Sequence, residues 1–161
     1  MRVEYINPFV EAAFNVLKEV LNNAEVKRGD LYLKSASMKI MGVAALVGLA
    51  GDVEGRVLFD MTKDTALFVA GAMNGGEEFK VFDDMAKATI TELANMITAQ
   101  AVTKLHALGF KFDLTPPALF SGENMEISNN LEVEALIVPM ELGPGGQSGK
   151  IEINVVIRER M

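Results

Sequence analysis

The chain contains no cysteine and a single histidine, His106, which excludes disulfides and thiol chemistry and removes the usual zinc constellations. It also lacks any run of lysine or arginine. With a net charge of −7 distributed along 161 residues, it has no basic footprint for a phosphate backbone, which argues against nucleic acid as a partner. No stretch has the uninterrupted apolar length of a signal peptide or a membrane span; the longest, Met41 to Ala50, has the length of a buried strand. These absences agree with a cytoplasmic protein that does not insert into membranes. Hydrolase signatures are missing too. Ser35, Ser37, Ser121 and Ser148 stand in no Gly-x-Ser-x-Gly elbow. The run Gly71-Ala72-Met73-Asn74-Gly75-Gly76 has neither a Gly-Lys-Ser/Thr pattern nor a strand before it, and reads as a helix end. His106, just before Gly109, suits the negative end of a helix, and no carboxylate stands at a spacing that would orient it as a base.

What is present is apolar: half of the residues are hydrophobic, enough for residues 1–161 to form one domain with a real core. Asn7-Pro8 reads as a cap followed by proline at the first helical position, opening a helix to about Asn22. Loose alternation from Asp30 to Met41, the run Val43 to Ala50, and Arg56 to Asp60 after the turn Gly51-Asp52-Val53-Glu54-Gly55 give three candidate strands. Thr62 caps a second helix that stops at Gly75-Gly76. A long helix follows, from about Lys80 to Leu108. Phe110 to Phe120 reads as an extended connection stiffened by Pro116-Pro117. Two more strands, Glu132 to Glu141 and Lys150 to Arg158, point Val133/Ala135/Ile137 and Ile151/Ile153/Val155/Ile157 inward, joined by the hairpin connection Gly143 to Gly149. Strands grouped around helices predict an α+β domain, an antiparallel sheet packed by helices in layers. Lys150 to Arg158 reads as an exposed edge that invites a second copy, so a homodimer through sheet edges is expected.

The long helix carries the most informative residues. At ~100° per residue, Phe82, Ala86, Ile90, Leu93, Ile97, Ala101 and Leu108 gather on one side, while Ala88, Glu92, Asn95 and Ala99 fall opposite. Glu92 and Asn95, three residues apart, project together from a shelf of small side chains that Thr91 and Thr98 extend. Such a shelf lets another macromolecule bring its backbone close. The plainer alternative is an ordinary solvated helix face. Met85 and Met96 sit on the shoulder of the buried stripe, as an adaptable contact rim or as core filling.

Taken in order, Gly51-Asp52-Val53-Glu54-Gly55-Arg56-Val57-Leu58-Phe59, Thr65-Ala66 to Met73, Glu92-Leu93-Ala94-Asn95-Met96 and Thr115-Pro116-Pro117 resemble the CheC/CheX/FliY family of bacterial chemotaxis phosphatases over nearly the whole chain. The resemblance implies a layered fold and dephosphorylation of the aspartyl phosphate on the response regulator CheY. CheC-like members carry two Glu-x-x-Asn helices and CheX-like members one. Here the first helix reads Glu11-Ala12-Ala13-Phe14, with an aromatic where the amide belongs, so a single site is expected. One departure is Ala88, where the family often has Asp or Ser four residues before the glutamate.

The implied chemistry fits the two residue types. Hydrolysis of an acyl phosphate needs a water held in line with phosphorus, and depends on positioning and charge neutralisation. A neutral carboxamide, Asn95, orients that water without repelling the phosphoryl oxygens, whereas Glu92 is suited to pairing with a lysine of the receiver. Ala88, Thr91, Met96 and Ala99 are the expected docking contacts, and Leu93 the packing beneath them. No cofactor or metal of the chain's own is expected; Mg²⁺ belongs to the partner receiver. Two other classes remain open: a receiver-binding module of the same fold without catalysis, and a small-molecule hydrolase with an enclosed pocket.

Overall fold

The computed structural model describes residues 3–22, 24–35, 37–128 and 134–159. Three helices, α1 (Val3–Val20), α2 (Lys63–Met73) and α3 (Asp84–Ala107), pack on one face of a sheet. Its strands are β1 (Val26–Arg28), β2 (Tyr32–Lys34), β4 (Val43–Gly51), β5 (Val53–Met61), β6 (Phe112–Leu114), β7 (Ala118–Ser121), β9 (Ala135–Leu142) and β10 (Gly149–Glu159). The order is β1-β9-β10-β5-β4-β6, with β2 continuing along β9 and β7 along β4. Every pairing among the described residues is antiparallel. The α+β class expected from the order of elements is the one observed.

Several boundaries differ from the sequence reading, each for a local reason. Helix α1 starts by Val3 and carries Pro8 inside it, so Asn7 is not its cap. Proline forfeits one backbone bond there, but the upstream turn buries Tyr5 and Ile6, with the Tyr5 ring edge-on to Phe110 at 4.9 Å. The segment 110–120 is not merely a connection: it forms β6 and β7. Thr115-Pro116-Pro117 bulges between them. Thr115 donates its backbone N–H to Gly48 O at 3.0 Å and accepts from Gly48 N on Oγ1 at 2.7 Å, and the two prolines, which cannot donate to a ladder, fall between the two paired stretches.

Strand β10 corrects the expected edge. It pairs with β5 on one side and β9 on the other, because its both-face burial from Ile151 to Ile157 suits a central strand. The free edges are instead β1/β2 and β6/β7. The inward alternation on β10 is as expected, Ile151, Ile153, Val155 and Ile157 all joining the helix-side core. On β9 it is reversed: Val138, Met140 and Leu142 face the helices, while Ala135 and Ile137 pack with Val156 on the other side. Glu132 and Val133 lie outside the described residues. A period-two pattern cannot tell the faces apart when both are covered, and here the outer face is covered in part. A ribbon of β3 (Met38–Lys39) and β8 (Glu126–Ile127) lays Met38 and Ile40 over Ala44 and Leu58.

That outer face also buries polar groups. Arg56 donates from Nη1 to Asn154 Oδ1 at 2.9 Å, and Asp60 lies directly across from Glu152. Asp60 is 1% exposed; Met41 donates its backbone N–H to Oδ1 at 2.9 Å, while Oδ2 has no hydrogen-bond partner. Burial, with the Glu152 charge adding to it, pushes the Asp60 carboxyl up to about 6. Glu152 in turn accepts from the Tyr32 hydroxyl and pairs with Lys34 at 3.6 Å and Lys150 at 3.7 Å. The strap β2 is thereby pinned to the sheet.

Candidate active site

Helix α3 is placed by caps at both ends and by a tie to α2. Asp83 accepts from Ala86 N at 2.9 Å, which satisfies one free donor of the first turn. Gly109, at φ 95°, closes the other end with its N–H to His106 O at 3.0 Å. Asn74, which caps α2, donates from Nδ2 to Ala70 O at 2.7 Å and to Thr89 Oγ1 at 2.9 Å. The helix is thus fixed in rotation as well as position.

Its buried stripe is nearly the expected one: Phe82, Ala86, Ile90, Leu93, Ile97 and Ala101 are in the core. Leu108 is not, being exposed beyond the last turn. Opposite, Ala88, Glu92, Asn95 and Ala99 are all exposed. Glu92 and Asn95 project from adjacent turns, their Cβ atoms roughly 5–6 Å apart as three-residue spacing dictates. Among the described residues neither side chain is hydrogen-bonded or ion-paired. Directly beneath, Leu93 and Ala94 are each 1% exposed.

The shelf is narrower than the sequence reading drew it. Thr98 is fully buried and returns its hydroxyl to Ala94 O at 2.6 Å. Thr91 remains half-buried and donates to Lys87 O at 2.9 Å. Such back-bonding turns the hydroxyl inward and leaves a methyl outward, so the surface beside the pair is smooth rather than polar. Met96 is partly buried against the core, whereas Met85 is 55% exposed. His106 sits at the far end with Nε2 3.2 Å from Phe112 O and its ring edge-on to Phe112, the structural role expected of it.

Helix α1 offers no second pair. Glu11 is tied to Lys104 of α3 at 2.6 Å, and the Phe14 ring lies under the Lys18 ammonium at 5.7 Å. The sequence reading gave no role to Asp60, Glu152 or Asn154, although charged and amide residues recurring at two-residue spacing inside apolar strands mark a polar line on one face. Among the described residues, neither Glu92 nor Asn95 lines the four cavities of about 280, 490, 500 and 630 Å³, and no cluster of acids or histidine is arranged to hold a metal. Glu92 and Asn95 are thus displayed on the open face of α3 and not in a cleft.

Comparison with known proteins makes the assignment. The chain belongs to the family described as chemotaxis phosphatase CheX, whose model matches residues 43–141 and so includes the whole of α2, α3 and the Thr-Pro-Pro bulge. The CheY-P phosphatase CheX of Thermotoga maritima is 30% identical over 129 residues, covering 80% of this chain and 83% of that protein. A CheX from Borrelia burgdorferi, solved in complex with CheY, BeF₃ and Mg²⁺, is 50% identical with a TM-score of 0.83, over 98% of this chain and all of that one. A CheC-like superfamily protein from a Shewanella species is 29% identical with a TM-score of 0.84, over 98% and 99% of the two chains.

Proposed function

We propose that this protein hydrolyses the aspartyl phosphate of a CheY-type response regulator, with Asn95 entering the receiver's phosphorylation pocket to orient the attacking water and Glu92 pairing with the receiver's lysine. The observation that carries this reading is the display of Glu92 and Asn95 together on the open face of α3, exposed and, among the described residues, without hydrogen-bond or ion-pair partners. It is supported by the relative named as a CheY-P phosphatase and by the related CheX solved with CheY, BeF₃ and Mg²⁺.

The division of labour follows from charge. Asn95 is neutral and both donates and accepts, so it holds a water in line with phosphorus without adding to the negative charge there. Glu92 carries a full charge that a receiver lysine neutralises, and this charge-assisted bond fixes the docked register. Mg²⁺ bound by the receiver supplies neutralisation of the phosphoryl oxygens. Ala88 and Ala99 keep the approach low, Thr91 and Met96 border it, and Leu93 holds the helix against the core so that the amide is aimed. The protein acts as a homodimer through one of its free sheet edges, which light scattering at micromolar concentration tests directly.

The deciding experiment follows phosphate release from a phosphorylated receiver. Asn95→Ala should lower the rate about a hundredfold or more while leaving receiver binding intact, as loss of one preorganised catalytic group does. Wild-type turnover in that variant would overturn the assignment. Binding without any release by the wild-type chain would point to a non-catalytic receiver-binding module.

A further inference from the structure

The aim of Asn95 depends on how α3 is turned about its own axis. A side-chain tip stands about 5–6 Å from the axis of its helix, so a turn of about 10° carries it about 1 Å. In water-positioning chemistry a misplacement of about 1 Å costs on the order of a hundredfold in rate. The buried contacts of Ile90, Leu93, Ala94 and Ile97 resist such a turn only loosely, because apolar burial is not directional. Directional bonds from α3 to its neighbours therefore matter more for aim than for stability.

Among the described residues, two side-chain hydrogen bonds from α3 to other elements lie beyond the pair toward the C-terminus: Lys104 to Glu11 at 2.6 Å, and the His106 ring to Phe112 O at 3.2 Å. A third lies before it. Asn74 divides its two amide hydrogens between Ala70 O in α2, at 2.7 Å, and Thr89 Oγ1 in α3, at 2.9 Å. Thr89 in turn donates to Met85 O at 2.8 Å. It stands three residues before Glu92 and six before Asn95, about 4.5 and 9 Å along the axis, on the flank that meets α2. The donor side of this bond is itself held. Helix α2 is capped by Thr62 and presses Thr65 so closely on Gly149 of β10 that a Cβ on that glycine would collide, and at its other end Gly71 has no room for a Cβ beside the Glu77 carbonyl. The sheet, α2, Asn74 and Thr89 thus form one line of fixed contacts that ends at the pair.

We infer that Asn74 and Thr89 are positioning residues for the reaction: their hydrogen bond sets the rotation of α3 and so aims the Asn95 amide at the attacking water. This rests on the proposed function and adds to it two residues that act through Asn95. A turned helix would shift Glu92 as well. Its longer side chain and that of a lysine partner follow a shift of this size, whereas a water held in line with phosphorus does not. The loss therefore falls on kcat and spares affinity.

The test uses Thr89→Val, which removes the hydroxyl while keeping the shape and much the same helix propensity. Phosphate release from a phosphorylated receiver gives kcat and KM. Titration with a receiver carrying beryllium fluoride and Mg²⁺ gives the affinity and the fraction of each preparation competent to bind, to which kcat is normalised. Thr89→Val should lower kcat roughly tenfold, packing still limiting the turn, with KM and affinity within about twofold of wild type. Thr89→Ser, which restores the hydroxyl, should recover most of the rate. Asn74→Ala should lower kcat to a similar extent, and Asn74→Ala/Thr89→Val no further than either alone, since both break the same link. Wild-type kcat in Thr89→Val, no recovery with serine, additive losses in the double variant, or a loss confined to affinity would each overturn the positioning role. Absence of release by the wild-type chain, or an undiminished rate in Asn95→Ala, would instead sink the proposed function, and the positioning role with it.

Discussion

Replacing Asp60 with asparagine should make the protein more stable, and should do so only above a particular pH. The carboxyl titrates at about 6 in the folded chain against 3.8 for the free group, which corresponds to about 3 kcal/mol of preference for the neutral form. Because the folded state holds the proton more tightly than the unfolded state, this contribution favours folding below pH 3.8 and is lost as pH rises through 6. At pH 8 the folded chain bears the whole cost of a buried carboxylate beside Glu152. Asparagine removes the charge but keeps Oδ1, the acceptor for Met41 N. The gain at pH 8 is expected to be about 2–3 kcal/mol, or roughly 4–12 °C in Tm for a domain of this size, and to shrink toward zero at pH 4. Calorimetry of both proteins at the two pH values measures it. Equal Tm differences at both, or destabilisation at pH 8, would refute the reasoning. Since Asp60 lies on the sheet face away from α3, phosphate release should not change.

The remaining expectations concern α3 and the hairpin beside it. Glu92→Lys should weaken receiver binding as well as turnover, in contrast to Asn95→Ala, and titration of a fluorescent receiver separates the two. Leu93→Ala leaves a cavity directly under the site and should cost about 2–4 kcal/mol in chemical denaturation, with kcat falling beyond what the unfolded fraction explains. Gly55 has φ 152°, and a Cβ there would collide with the Val156 carbonyl across the β5–β10 ladder. Gly55→Ala should therefore abolish the cooperative unfolding transition or lower Tm sharply by circular dichroism.

The exposed face of the candidate site was legible in the sequence because α3 is long and its two faces differ in chemistry. Period-3.6 burial placed Ile90, Leu93 and Ile97 inside and Glu92 and Asn95 outside, and the structure agrees. It failed for Thr98, whose angular position lies between the two faces and whose burial depends on what packs beside the helix. The strands were harder. Val26–Arg28, Phe112–Leu114 and Ala118–Ser121 are too short to show alternation and are strands only because β9 and β4 offer them partners. Facing on β9 was read with the wrong parity because Ala135 and Ile137 are buried as thoroughly as Val138 and Met140, under a second layer that local pattern does not reveal. Pro8 misplaced the start of α1 for a related reason: propensity near a proline is local, and the burial of Tyr5 is not.

The place of β10 carries a consequence for how the molecule comes into being. The strand furthest along the chain is the one that joins β9 to β5, so until Glu159 has left the ribosome the growing polypeptide holds two separate half-sheets. Each then exposes an unpaired inner border, Ala135–Leu142 on one half and Val53–Met61 on the other, the kind of surface on which nascent chains adhere to one another. Closure inserts the last ribbon between halves already made, a contact between distant parts of the polymer that must form late and sets the pace of assembly.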